Sequence, residues 1–238
     1  MLTCVSCFYK VTNKHNDSYY GWFHNTLAIQ CPYVFFSDKE GIELIKSYRK
    51  ELPTYYIECN ISDFYTYAYK DHMTTDPIHC PSVELNLIWN EKLFMIEKAA
   101  AINPFNSDWF KWIDAGTCTY RERLPPQCPF PNPDKLAELP TDKFIYSSSY
   151  EFTMKDATTF NHYHHISGTS YLMHKSMISI MIGLYKEYLH TIANRANIRL
   201  DKNNIWTDQV ILTHIFIDKP ELFFKMSRGY GAITELLF

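Results

Sequence analysis

Hydrophobic and polar positions alternate between two periods along the first half of this chain. Leu2 to Tyr9 alternates apolar and small residues and predicts a strand. Lys10 to Ser18 is polar and predicts a loop. From Tyr19 to Gln30, apolar residues fall at helical spacing (Tyr19, Trp22, Phe23, Leu27), and Cys31-Pro32 stops the helix. Tyr33 to Phe36 is a continuous apolar run, predicting a short buried strand that ends in Ser37-Asp38. Strand, helix and strand in this order form a βαβ unit, which requires a parallel sheet. The unit repeats with an amphipathic helix over Lys39 to Lys50 and a strand over Thr54 to Cys59.

Ile61 to Pro81 lacks clear periodicity and predicts loop or short helices over the sheet edge. Ser82 to Ala101 predicts a helix interrupted at Trp89-Asn90 and ended by Asn103-Pro104. The apolar stretch Phe110 to Ile113 is then a buried strand, delivering Asp114 to its carboxyl end, where open α/β sheets hold ligands. Ala115 and Gly116 leave space for a ligand to approach the backbone. The alternative is that Asp114 only starts a turn.

Beyond Gly116 the pattern weakens. Thr117 to Pro140 reads as irregular, and its prolines from Pro125 to Pro133 argue against a helix or central strand there. Strands are predicted at Phe144 to Ser148 and Tyr150 to Met154, and a small-residue turn at Ser167-Gly168-Thr169. Helices are predicted at Lys175 to Ala193 and Thr207 to Phe216, the latter with Thr207 as N-cap and Asp208 in its first turn. Glu221 to Met226 is a candidate last strand, and Ser227 to Gly231 a flexible loop. The 238 residues therefore predict a single α/β domain, residues 1–238, with a mostly parallel central sheet.

Composition narrows the function. Apolar residues make up 46% of the chain, enough for a core, and aromatics 16%, enough to line a groove with rings as well. The net charge of −3, without a basic stripe, argues against nucleic-acid binding. No apolar run reaches the length of a membrane span, and the first residues lack a basic leader, so a cytoplasmic location is expected. Seven scattered cysteines fit reduced thiols; Cys4 and Cys7 should point to opposite faces of their strand.

Candidate chemistry centres on carboxylates. Asp38 and Asp114 each follow a strand and Asp208 opens a helix, so one rim of the sheet collects acidic groups. Asp208 could instead serve only the helix dipole. His162, His164 and His165 lack a third metal ligand nearby and read as a solvated or substrate-facing group rather than a zinc site. There is no P-loop, dinucleotide fingerprint or nucleophile elbow.

Three segments together resemble the HtrL/YibB family, a poorly characterised group of bacterial and viral proteins. They are Tyr20 to Leu27 running on to Cys31–Asp38, then Trp89 to Phe94, then Asn103 to Ser107 leading to Trp112–Gly116. That family in turn looks like the GT-A class of nucleotide-sugar glycosyltransferases. The resemblance implies a GT-A-like domain with a nucleotide-sugar-binding half (1–116) and an acceptor-side half (117–238). It implies a hexosyltransferase-like activity: transfer of a sugar from a nucleotide-sugar donor to a glycan or other hydroxyl acceptor. The alternatives are a GT-A-like module that binds donor or glycan without turnover, and a structural or interaction protein.

GT-A enzymes place Asp-x-Asp after an apolar strand to hold a divalent metal on the donor diphosphate. Here the motif reads Asp114-Ala115-Gly116, so Asp114 alone is the expected ligand of Mn²⁺ or Mg²⁺. The resemblance further implies that Tyr9 and Asp38 flank the nucleoside and that Lys92 reaches a phosphate or ribose with Trp89 packed behind it. Asp208 is the implied general base. Arg228, on the glycine-bearing C-terminal loop, is the candidate cation for the leaving diphosphate; the alternative is an exposed arginine on the tail.

Overall fold

The computed structural model of the chain describes residues 1–150, 164–194 and 205–238. Among these, seven strands form one sheet: β1 (Leu2–Cys7), β2 (Tyr33–Ser37), β3 (Thr54–Glu58), β4 (Trp109–Ile113), β5 (Phe144–Ser148), β6 (Ile166–His174) and β7 (Phe223–Arg228). Their order is β3-β2-β1-β4-β6-β5-β7. β6 is antiparallel to β4 and β5, and every other pairing is parallel. The expected single α/β domain with a mostly parallel sheet is what the structure has.

Both faces of the sheet are covered, which is why β2 and β4 are buried at every position and are apolar at all but Ser37 and Lys111. Phe110 and Trp112 of β4 face one core, with helices α3 (Val83–Ile102), α5 (Lys175–Asn194) and α6 (Asp208–Asp218). Trp109 and Ile113 face the other, with α1 (Ser18–Thr26), α2 (Lys39–Arg49), α4 (Pro133–Ala137) and α7 (Ala232–Leu236). Cys4 lies in the second core and Cys7 packs against the first, as the strand period requires.

Several expectations are corrected. Helix α3 runs unbroken through Trp89-Asn90. Asn90 is buried, but its amide donates to the Asn86 carbonyl (3.0 Å) and the Trp206 carbonyl (2.9 Å) and accepts from Tyr185 Oη (2.7 Å). A polar side chain satisfied in this way does not interrupt a helix. Ser167-Gly168-Thr169 is no turn; it lies within β6, a strand that the small residues concealed. Pro133 opens α4, since a first-turn proline gives up no helical hydrogen bond. Ser227 and Arg228 belong to β7, and α7 follows the Gly229–Gly231 connection. Thr207 does precede α6, but its hydroxyl makes no capping bond. Residues 151–154 of the expected second strand, and His162, lie outside the described residues. His165 is not solvated: it is buried, with Nε2 2.9 Å from Tyr146 Oη and Nδ1 2.7 Å from the Tyr150 carbonyl.

Buried charge supports the frame away from the carboxyl edge. Arg49, fully buried on α2, donates to the carbonyls of Leu27, Ile29, Cys31 and Pro53 and so ties the amino ends of β2 and β3 to the end of α1. Lys111, in the middle of the apolar β4, donates to Ser170 on β6; burial lowers its pKa to about 8. Glu91 on α3 accepts from the backbone of Tyr65 and Thr66 at 3.0 Å each, pinning the 3₁₀ segment Tyr65–His72 over the helix. No described helix is long and apolar enough to cross a membrane.

Candidate active site

The order β3-β2-β1-β4 reverses direction between β1 and β4. The chain leaves β1 through α1 on one face and reaches β4 through α3 on the other. The carboxyl ends of β1 and β4 therefore splay apart, and open α/β sheets bind ligands at such a crevice. A cleft opens there. Phe8 and Tyr9 follow β1, Tyr19 comes from α1, Trp89 and Lys92 from α3, and Trp112 and Asp114 from the end of β4. Six aromatic rings, with Phe23 the sixth, stand among the lining residues.

Lys92 is the centre of the charge arrangement. It projects from α3 under the cleft floor and is 4% exposed. Its Nζ donates to the Gly168 carbonyl on β6 (2.9 Å) and lies 3.2 Å from Asp114 Oδ1 and 3.3 Å from Asp208 Oδ2. An ammonium has three hydrogens and no acceptor. One is given to Gly168 and both carboxylates lie within ion-pair distance, so Lys92 is a buried cation between two carboxylates. Burial opposes its charge, but Asp114 and Asp208 outweigh burial and hold its pKa above the usual lysine range.

Asp114 is fixed from two sides, because Trp112 Nε1 also donates to Oδ1 (2.8 Å) while the Asp114 amide bonds to the Thr169 carbonyl (2.9 Å). Asp208, the first residue of α6, is 3% exposed. Burial raises its pKa to about 6, Lys92 pulling it down and Asp114 pushing it up. Its Oδ2 contacts Lys92 as an ion pair without a well-aligned hydrogen bond. Gly168 makes this approach possible: a Cβ there would stand 2.7 Å from Asp208 Oδ2.

The structure thus brings Lys92, Asp114 and Asp208 together from three distant segments, with Trp89 on the same cleft as Lys92. Asp208 lies behind Lys92 and is not among the described residues lining the cleft. Tyr9 lines the cleft, but its hydroxyl is committed to the Cys59 carbonyl (3.0 Å). Asp38 is not among the described residues lining the cleft, although its charge acts on Tyr9; its Oδ1 accepts from Gly41 N (2.7 Å) and caps α2. Arg228 ends β7, three strands from β4, which is ~14 Å across the sheet at the usual strand spacing. It is not among the residues lining the cleft, because the segment that looked like a loop is a strand at the far edge. Gly116 serves packing: a Cβ there would lie 2.8 Å from the Tyr19 ring and 3.1 Å from that of Trp22.

One cleft residue escaped the sequence. Arg121, in the irregular segment after β4, stacks its guanidinium 3.7 Å from the centre of the Trp22 ring, and its Nε donates to the Gly116 carbonyl (3.3 Å). No periodicity marks it.

Known proteins resemble this chain at two levels. No curated protein matches it. Solved structures do, among them a glycosyltransferase involved in the glycosylation of the major capsid of PBCV-1. That structure is 13% identical with a TM-score of 0.44, the match covering 96% of this chain and 81% of that one. Residues 55–232 match a family described as bacterial protein of unknown function (HtrL_YibB). This match spans more than half of the sequence and contains Lys92, Asp114, Gly168 and Asp208, so the chain belongs to the HtrL/YibB family.

Proposed function

We propose that this protein is a glycosyltransferase that moves a sugar, a hexose, from a nucleotide-sugar donor to a hydroxyl of a glycan or similar acceptor. The observation that carries the reading is Asp114 at the β1/β4 switch point, on the floor of a ring-lined cleft with the Lys92–Asp208 pair beneath it. Aromatic faces such as Tyr9, Tyr19 and Trp89 suit the flat base and the apolar faces of a sugar. In the reaction the acceptor oxygen bonds to the anomeric carbon as that carbon's bond to the diphosphate breaks. The acceptor proton is assigned to Asp208, whose raised pKa moves it toward the range in which a general base works best; because it lies behind Lys92, the acceptor hydroxyl has to reach it past the ammonium. Unpaired cysteines throughout suit a reducing compartment such as the cytoplasm.

A second reading has its own support. The burial of Asp208 behind Lys92 suits a module that binds the donor without turning it over. Incubation with a panel of nucleotide sugars separates the two. Release of free nucleotide from one donor supports the transferase. Thermal stabilisation by a donor without release supports the binding module. Neither effect with any donor refutes both.

A further inference from the structure

A donor diphosphate in this cleft needs positive charge, and the chain supplies it in an unexpected place. A divalent ion on Asp114 does not fit the residues present. Asp114 Oδ1 already faces the Lys92 ammonium and Trp112 Nε1, the two following residues carry no side-chain oxygen and the Gly116 carbonyl already accepts from Arg121, and the ammonium occupies the space between the two carboxylates. An added cation would meet that charge at close range with one uncommitted carboxylate oxygen to hold it. No group of three or more potential metal ligands occurs among the described residues. Lys92 is poorly placed to take a phosphate in place of a metal, since its ammonium is buried and already faces two carboxylates and the Gly168 carbonyl.

The cleft has one other cationic lining residue, Arg121. Its plane is fixed by stacking on Trp22 and by the Nε bond to Gly116, and it forms no ion pair with a carboxylate among the described residues. Its two terminal nitrogens are thus left to present the planar fork that suits phosphate oxygens. Gly116 lies two residues beyond Asp114, so the fork is anchored to the same turn that ends β4. The neighbouring imidazole of His15, packed on Trp22 4.9 Å away, is kept neutral near pH 7, its pKa lowered to about 4 by burial and by Arg121 and Lys14.

We propose that Arg121 is the diphosphate-binding residue of this cleft and that it binds a phosphoanhydride without a divalent ion, with Lys92 as the resident cation beneath. The proposal rests on the transferase reading and names how its donor is held. Binding is measured calorimetrically with inorganic pyrophosphate and with UDP, GDP and ADP, each in EDTA and in Mn²⁺. The expected result is binding in EDTA that Mn²⁺ does not strengthen, weakened about 10- to 100-fold in Arg121→Ala. Arg121→Gln keeps a donor for Gly116 and most of the packing on Trp22 but loses the charge, so it should weaken binding by a similar factor while its melting temperature stays at the wild-type value. Binding that requires Mn²⁺, or that survives both substitutions, overturns the inference and leaves the transferase reading standing. Absence of binding by every probe in both conditions overturns the two together.

Discussion

Replacing Lys92 by methionine tests the charge arrangement at its centre. Methionine fills much of the lysine stem's volume but removes the ammonium and its three contacts, at 2.9, 3.2 and 3.3 Å. Asp114 keeps its bond to Trp112 and, with its side chain 31% exposed, keeps some water. Asp208, with its side chain 5% exposed, loses its counter-charge. Removing one partner of a buried pair costs about 3–5 kcal/mol. The sign with pH follows from Asp208. Its folded pKa, about 6, is above the ordinary value of 3.8, so its contribution to stability is present at low pH and is lost as pH rises through 6. Without Lys92 the folded pKa rises further, and the loss on raising the pH becomes larger. Urea unfolding followed by tryptophan fluorescence should therefore show a deficit of about 3–5 kcal/mol near pH 7.5 that shrinks to about 1–2 kcal/mol near pH 5, where Asp208 is protonated. A deficit below about 1 kcal/mol near pH 7.5, or one unchanged near pH 5, would refute the reading of Lys92 as a buried, doubly paired cation.

Two further outcomes follow from the same geometry. A methyl group in Gly168→Ala would collide with Asp208 Oδ2 at 2.7 Å and Gln209 Cγ at 2.9 Å; stability should fall by about 1–3 kcal/mol, and turnover by a larger factor than melting alone explains. Wild-type kcat/KM should decline as pH falls through about 6, where Asp208 gains its proton, and Asp208→Asn should lose roughly 100-fold in turnover or more; a flat profile together with full activity would leave Asp208 a structural role only.

The order of elements in the first half of the chain follows from local pattern. Alternation, helical spacing and apolar runs gave β1, β2, α2, β3 and β4 to within two residues at either end, whereas α1 ends at Thr26, short of the Cys31-Pro32 stop. The doubly covered sheet explains the continuous apolar runs that marked β2 and β4. Asp114 was placed at the carboxyl edge for the same reason: it follows the last apolar residue of a strand. The second half was harder to read. β6 carries Ser167-Gly168-Thr169 directly after its first residue; Gly168 leaves room for Asp208 and weakens the strand signal, so the local pattern was that of a turn.

Tertiary structure alone decided the rest. Lys92 is buried because its helix packs over the switch point, where two carboxylates from residues 114 and 208 offset the cost of removing an ammonium from water. Nothing within one helical turn of Lys92 carries that information. Asp38 and Arg228 have the same residue types as the groups that do converge, but one is used as a helix cap and the other ends a strand at the far edge. Arg121 lies in a segment without a period that runs into a series of prolines; its place at the Gly116 turn depends on the stack against Trp22, a residue almost a hundred positions away. Sequence sets which elements form and which ends carry charge, whereas the packing of α1, α3 and α6 on the sheet determines which of those charges meet.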